Sequence, residues 1–109
     1  MTAFERVRAV FRLAQEETAQ LFGAPLREVV HWDREGVPLE RVPQVERFHD
    51  VAEEFSRELN DEAIPVLVRG RLQALEDRTV LESLAQGDVS QVRDFLQHLV
   101  GPPYTGVRS

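Results

Sequence analysis

The chain has 109 residues, is 42% hydrophobic and 29% charged, carries a formal net charge of −6 and contains no cysteine. This composition is typical of one compact domain, or of two small modules sharing a core, and it excludes a disordered chain, a disulfide framework and zinc–thiolate chemistry. No apolar run approaches the roughly 18 residues of a membrane span, and the N-terminus lacks a signal-peptide block, so we expect a cytoplasmic protein that contacts no membrane.

Three helices are predicted in the first third of the chain. Apolar residues spaced i, i+3 and i+4 indicate a first helix from about Ala3 to Leu13 and a second from Gln15 to Phe22, which ends at Gly23. Pro25 suits the first turn of a third helix, because the N–H that proline lacks has no helical partner there. This third helix is expected to reach about Asp33.

A longer fourth helix, from Pro43 to Leu59, has one apolar and one charged side. Its apolar side carries more large side chains than one small core would bury, so we expect this side to form a homodimer interface. The residues of that side are Val45, Phe48, Val51, Ala52 and Phe55. Before this helix, the segment Val37 to Val42 is predicted either to connect the helices without a strand or to form a small extended arm.

The second half of the chain predicts three shorter helices, from Ala63 to Leu75, from Val80 to Gln86 and from Val89 to Val100, whereas Gly101 to Ser109 should not be helical. Two capping boxes are expected, at Thr79 with Glu82 and at Asp88 with Gln91. No convincing strand pattern is present. The sequence thus predicts an all-α protein with a helix-turn-helix module over residues 1–59, packed with a small C-terminal helical module over residues 60–109.

The second and third predicted helices have the spacing of a helix-turn-helix. Ala19 is a small residue where two helices would cross closely, and Gly23 lies at the corner, where a positive φ is needed. Val29 and Trp32 would pack the third helix onto the second. Because the second helix of such a motif commonly enters the major groove, this pattern predicts binding to double-stranded DNA.

Four residues of the third helix are candidates for DNA contacts: Arg27, Glu28, His31 and Arg34. Arginine can contact a guanine edge or a phosphate, histidine can donate to either, and glutamate can accept from cytosine N4. Because the net charge of −6 repels phosphate, we expect a monomer to bind DNA weakly. Residues 1–48 contribute little to this charge, since they have seven arginines against eight acids. A tight corner between helices of any small bundle would have the same spacing.

The C-terminal half carries several short motifs in a fixed order. Leu67-Val68 is followed by Ala74-Leu75 and Arg78-Thr79, then by Leu84-Ala85 and a turn at Gly87-Asp88, and the closing helix contains Val92, Phe95 and Leu96. This order resembles the toxin-binding segment of the Xre/MbcA/ParS antitoxin family, which also has a helix-turn-helix directly upstream. The chain departs from that pattern at Glu76-Asp77, where the family usually has a Gly pair, at Val80, which replaces Pro, and by lacking the Trp of a Trp-Leu pair.

The resemblance implies an antitoxin that is not an enzyme, needs no cofactor and forms a homodimer. Such a protein represses its own promoter through the N-terminal module and neutralises a cognate toxin through the C-terminal one, the toxin being a RES-type enzyme that uses NAD. Toxin contacts are then expected at Arg78, Thr79 and Asp88. In the tail, Tyr104 is the expected aromatic anchor for the toxin, and Arg108 adds a charge next to the C-terminus. The alternative is a frayed terminus without function.

No residue pattern indicates catalysis. His49 and Glu53 form an i, i+4 pair that could bind a divalent ion, but a solvated charged helix face is the simpler interpretation, and no metal site is predicted. Two other functions fit the N-terminal half. The stretch from Ala19 to Pro38 also resembles the compact winged module of small terminase subunits and excisionases, which would make the chain a phage-type DNA-binding adaptor. The third possibility is a helix-turn-helix bundle used only for protein interaction.

Overall fold

The computed structural model describes residues 1–100, which form helices and no strand. The α-helices are α1 (Ala3–Phe11), α2 (Gln15–Phe22), α3 (Leu26–Glu35), α4 (Val42–Glu58), α5 (Ala63–Arg69), α6 (Val80–Ala85) and α7 (Val89–Val100). Short 3₁₀ turns cover Leu39–Arg41 and Gln73–Leu75. The all-α prediction is therefore confirmed, and the predicted bounds of the second and last helices match the structure.

Local capping signals explain where the first helices begin and end. Thr2 accepts a hydrogen bond from the N–H of Glu5, and the Glu5 carboxylate accepts from the N–H of Thr2, which completes a capping box. Helix α1 stops two residues earlier than predicted because Arg12 adopts a left-handed conformation with φ of 53°. Gly23, with φ of 65°, ends α2 as expected.

One hydrophobic core extends through the described residues. Helices α1 and α4 pack along each other, and buried side chains of α5, α6 and α7 join the same cluster from the other end. Near α3, an aromatic group packs edge to face around Phe22, whose ring centroid lies 5.1–6.0 Å from those of Phe4, Trp32 and Phe48. Residues 1–59 and residues 60–100 therefore contribute side chains to a shared interior.

The apolar side of α4 does not form the dimer interface that its sequence suggested. Val45, Phe48, Val51, Ala52 and Phe55 are all at most 5% exposed within the single chain. The monomer buries them because α1 covers one flank of α4 and α7 reaches another, which the sequence pattern of α4 alone could not indicate. A homodimer would need a different surface.

The fifth helix is shorter than predicted. It ends at Arg69, because Gly70 has extended dihedral angles of −83° and 144°, and the chain then reverses through a loop over residues 70–79. The loop is closed by an isolated antiparallel bridge between Leu72 and Arg78. This reversal buries Leu75 completely, whereas a continuous helix would have carried that side chain away from the core.

Two smaller expectations also differ from the structure. The segment predicted as a possible extended arm contains the 3₁₀ turn Leu39–Arg41, so a wing is absent from the described part of the chain. The second capping box does not form, because the N–H of Asp88 donates to the carbonyl of Ser83 and the side chains of Asp88 and Gln91 accept from Arg78. The first box, between Thr79 and Glu82, is present.

Candidate functional site: the outer face of α3 and the loop over residues 70–79

The corner between α2 and α3 is held by backbone hydrogen bonds. The N–H of Ala24 donates to the carbonyl of Ala19 over 3.0 Å, and Ala19 itself is 8% exposed at the crossing. Arg41 donates to the carbonyl of Phe22 over 2.6 Å, which satisfies an acceptor at the C-terminal end of α2. The tight corner predicted from the small residue and the glycine is therefore present.

Helix α3 is buried on one side and open on the other. Val29 and Trp32 face the core and are at most 4% exposed. Arg27, His31 and Arg34 follow the i, i+4, i+7 spacing that puts them on the opposite side of the helix, and all three are exposed. Glu28 is exposed beside them, so each of the four predicted DNA-contact residues lies in solvent on one helix.

Polar contacts hold α3 in place against the bundle. The Asp33 carboxylate accepts hydrogen bonds from Arg8 of α1 and, over 2.9 Å, from Gln15 of α2. Burial raises the pKa of Asp33, but the hydrogen bonds from Arg8 and Gln15 outweigh it and leave that pKa below its usual value. The Arg41 guanidinium lies 5.3 Å from the centroid of the Trp32 ring, a cation–π contact on the inner side of α3.

A second feature, the loop over residues 70–79, is organised by Arg78. Its side chain is only 17% exposed and donates to the carbonyl of Leu75 over 3.1 Å, the Asp88 carboxylate over 2.8 Å and the Gln91 side chain over 2.7 Å, with a further bond to Gln86. Arg78 thus ties the loop to the start of α7. Thr79 caps α6 through its hydroxyl, which accepts from the N–H of Glu82 over 3.0 Å.

The predicted toxin contacts therefore divide into two groups. Arg78, Thr79 and Asp88 are brought together, but their polar atoms bind other parts of the chain and shape the loop rather than project from it. Tyr104 and Arg108 lie outside the described residues. The exposed charged side chains of the loop are Glu76 (79% exposed) and Asp77 at its tip, and Arg71 (61% exposed) near its start.

The tip of this loop has an unusual backbone. Glu76 and Asp77 both adopt left-handed conformations, with φ of 61° and 64°. Residues other than Gly, Asn and Asp rarely adopt the left-handed backbone conformation. Both residues therefore hold a backbone conformation that glycine adopts more readily.

The strain of the left-handed backbone at Glu76 should be measurable as a change in the free energy of unfolding. We expect Glu76→Gly to raise the free energy of unfolding by about 0.5–1 kcal/mol, because glycine occupies the left-handed region without a Cβ clash. Urea denaturation would measure the change. The matched control is Gln73→Gly in the preceding 3₁₀ turn, which should lower stability by a similar amount. Equal effects of the two substitutions would contradict the assignment of strain to Glu76.

Arg69, the last residue of α5, has a role that the sequence analysis missed. Its guanidinium donates to both carboxylate oxygens of Glu17 over 2.8 and 2.9 Å, and to the carbonyls of Phe11, Arg12 and Pro65 over 2.8–2.9 Å. One side chain therefore joins α5 to the end of α1 and the start of α2. An arginine before a glycine indicates only a helix end, and nothing in the sequence identifies partners more than 50 residues away.

The His49–Glu53 pair does not stand free as a metal site. The Glu53 carboxylate accepts from Arg6 over 2.8 Å, and His49 lies 3.2 Å from the same oxygen. Within residues 1–100, no group of three or more metal-ligating side chains comes together. The arginine contact makes this carboxylate part of a link between α1 and α4.

No protein-family model matches this chain, and no curated protein or solved structure shows significant similarity to it. Over the described residues, no helix combines the length and apolar character that crossing a bilayer requires. Function has to be inferred from the residues themselves.

Proposed function

We propose that this protein is an antitoxin that acts in the cytoplasm as a homodimer, represses its own operon by binding DNA through α3 and neutralises a RES-type toxin through its C-terminal half. The observation that carries the proposal is the open outer face of α3, where Arg27, His31 and Arg34 lie in solvent opposite the buried Val29 and Trp32. A helix that is packed on its inner side and exposes two arginines and a histidine on its outer side can enter a major groove.

Net charge alone does not distinguish the two modules, since residues 1–59 have eight arginines against twelve acids and residues 60–109 have five against seven. The support for toxin binding is the local charge at the tip of the loop over residues 70–79. An acidic surface complements a basic cleft such as one that receives the phosphates of a dinucleotide. The tip of this loop presents Glu76 and Asp77 to solvent, and Arg78 holds the loop through its bond to Asp88, so the tip is suited to dock against such a cleft.

Removal of two arginines from α3 tests the DNA-binding part. With a fragment from upstream of the chain's own gene, we expect Arg27→Ala combined with Arg34→Ala to weaken binding at least about tenfold. The slope of log affinity against log salt should fall by about two, because each lost phosphate contact removes about one unit. Fluorescence anisotropy at several salt concentrations measures both quantities. Arg57→Ala, at an exposed position on α4, is the control and should leave both unchanged.

The toxin-binding part is tested by co-expression with the neighbouring reading frame. We expect that frame to arrest growth alone and to be neutralised, and captured in a pull-down, by this chain. Asp77→Asn removes one charge at the loop tip while keeping a residue that tolerates the left-handed backbone, so it should weaken capture about fivefold without loss of stability. Glu58→Gln on α4 should have no effect. If no neighbouring product binds the wild-type chain, the antitoxin proposal is wrong.

A second candidate function has one observation in its favour. Leu26 and Val30, at 42% and 37% exposure, are apolar residues on the accessible part of α3. A helix-turn-helix bundle used only for protein interaction would place such residues at its contact surface. Absence of any DNA shift at low salt would favour this function over repression.

A further inference from the structure

A groove separates α1 from the C-terminal end of α3 and the N-terminal end of α4. Its volume is about 530 Å³, which lies within the ~300–1,000 Å³ typical of small-molecule sites. The floor is apolar and is formed by Ala3, Phe4, Trp32, Val37, Val42 and Val45. The groove shares only Arg34 with the DNA-contact residues and none of its residues with the loop over residues 70–79.

Four carboxylates surround the apolar floor, and two of them already have a partner within the chain. Asp33 is neutralised by Arg8, and Glu5 is engaged by the backbone of Thr2, with the N-terminal amino group also helping to lower its pKa. Glu35, at the end of α3, and Glu46, near the start of α4, also line the groove and are exposed, and within residues 1–100 neither makes an ion pair.

The remaining charges leave the groove negative. Arg34 is the one cationic side chain at the rim. The negative end of α3 and the positive end of α4 both reach the groove, and since each is worth about half a charge they roughly cancel. Two free carboxylates, Glu35 and Glu46, thus face one arginine above an apolar floor.

We propose that this groove binds a small organic cation with an apolar body, such as an arylalkyl amine. The apolar body would cover the floor near Trp32, and the ammonium group would be attracted by the carboxylates of Glu35 and Glu46 at the rim. The volume fits a single ligand of this size. Apart from Arg34, no residue of the groove takes part in the proposed DNA and toxin contacts, so either part of the proposed function can fail without affecting this proposal.

The chain provides its own reporter, since Trp32 is its single tryptophan and belongs to the groove floor. The probes are 4-phenylbutylamine and its uncharged counterpart 4-phenylbutanol, titrated into the full chain while tryptophan fluorescence is followed. We expect the amine to bind at least fivefold more tightly than the alcohol. Equal affinities, or no change with either probe, would overturn the proposal.

Two kinds of variant distinguish the effect of the carboxylate charges on probe binding from the effect of the shape of the groove. Glu35→Gln combined with Glu46→Gln should abolish the preference for the amine, whereas Glu58→Gln, about 18 Å farther along α4, should preserve it. Ala3→Leu, which fills the floor, should weaken both probes. Sedimentation tests the alternative that a second copy of the chain occupies the groove. If the chain self-associates through the groove and the amine does not compete with this association, the proposal is wrong.

Discussion

Replacing Arg69 with methionine is expected to lower the free energy of unfolding by about 2 kcal/mol. Removal of the guanidinium leaves the Glu17 carboxylate and the carbonyls of Phe11 and Arg12 without a donor that they now share. A hydrogen bond to a charged group contributes about 1.5–3 kcal/mol. The Arg69 side chain is 32% exposed, so water can replace part of the lost hydrogen bonding. We therefore expect the loss of stability to lie near the lower end of this range.

The measurement is urea denaturation at pH 7, with Arg57→Met as the matched control. Arg57 is exposed on α4, and its replacement should change stability by no more than about 0.5 kcal/mol. Equal losses in the two variants would show that Arg69 has no special part in joining α5 to α1 and α2.

The effect of Arg69 should also depend on pH. The hydrogen bond from Arg69 is the largest cause that lowers the pKa of Glu17 below its ordinary value of 4.5 in the folded state. A lowered folded pKa contributes stability that is present above the unfolded value and is lost as the pH falls through the folded one. The difference between wild type and Arg69→Met should therefore shrink as the pH drops from 7 to 3. A constant difference would mean that Arg69 acts through the carbonyls alone.

Replacing Phe22 with alanine is expected to have the larger effect, a loss of about 4 kcal/mol. Phe22 is 1% exposed, and its ring packs edge to face against Phe4, Trp32 and Phe48. A buried Phe→Ala change costs about 3–5 kcal/mol through lost burial and the cavity left behind. The aromatic contacts favour the upper part of this range.

The same change should loosen α3. Because Trp32 packs on Phe22, its fluorescence should shift to longer wavelength in Phe22→Ala even below the unfolding midpoint. Phe22→Leu, which keeps much of the volume, should lose about 1–1.5 kcal/mol. Leu26→Ala removes a partly exposed side chain from the same helix corner and should cost less than about 1 kcal/mol. If Phe22→Ala were as stable as Leu26→Ala, the aromatic group would not anchor α3.

Much of the helical architecture follows from local sequence signals. Thr2 and Thr79 start helices through capping boxes, Gly23 ends α2, and the spacing of Val29 and Trp32 identifies the buried side of α3. These signals act between residues at most a few positions apart, so they can be found in the chain without knowledge of its tertiary structure.

The tertiary structure decided what local patterns left open. The sequence of α4 predicts a dimer interface on its apolar side because that sequence does not reveal that α1 and α7 cover it. Arg78, which is expected to contact a toxin, binds Asp88 and Gln91 within the chain, ten and thirteen residues later. Such side chains have several possible partners in the sequence, and only the path of the chain selects one.

The sequence by itself determined the all-α class, most helix bounds and the exposed residues of α3, because periodicity, glycine stops and caps are properties of neighbouring residues. The tertiary structure decided the end of α5, the left-handed turn at Glu76 and Asp77, the joining role of Arg69 and the groove beside Trp32. The turn is closed by backbone hydrogen bonds within its own loop, whereas Arg69 and the groove depend on contacts between distant segments. Such contacts can exceed the small local preference to continue a helix.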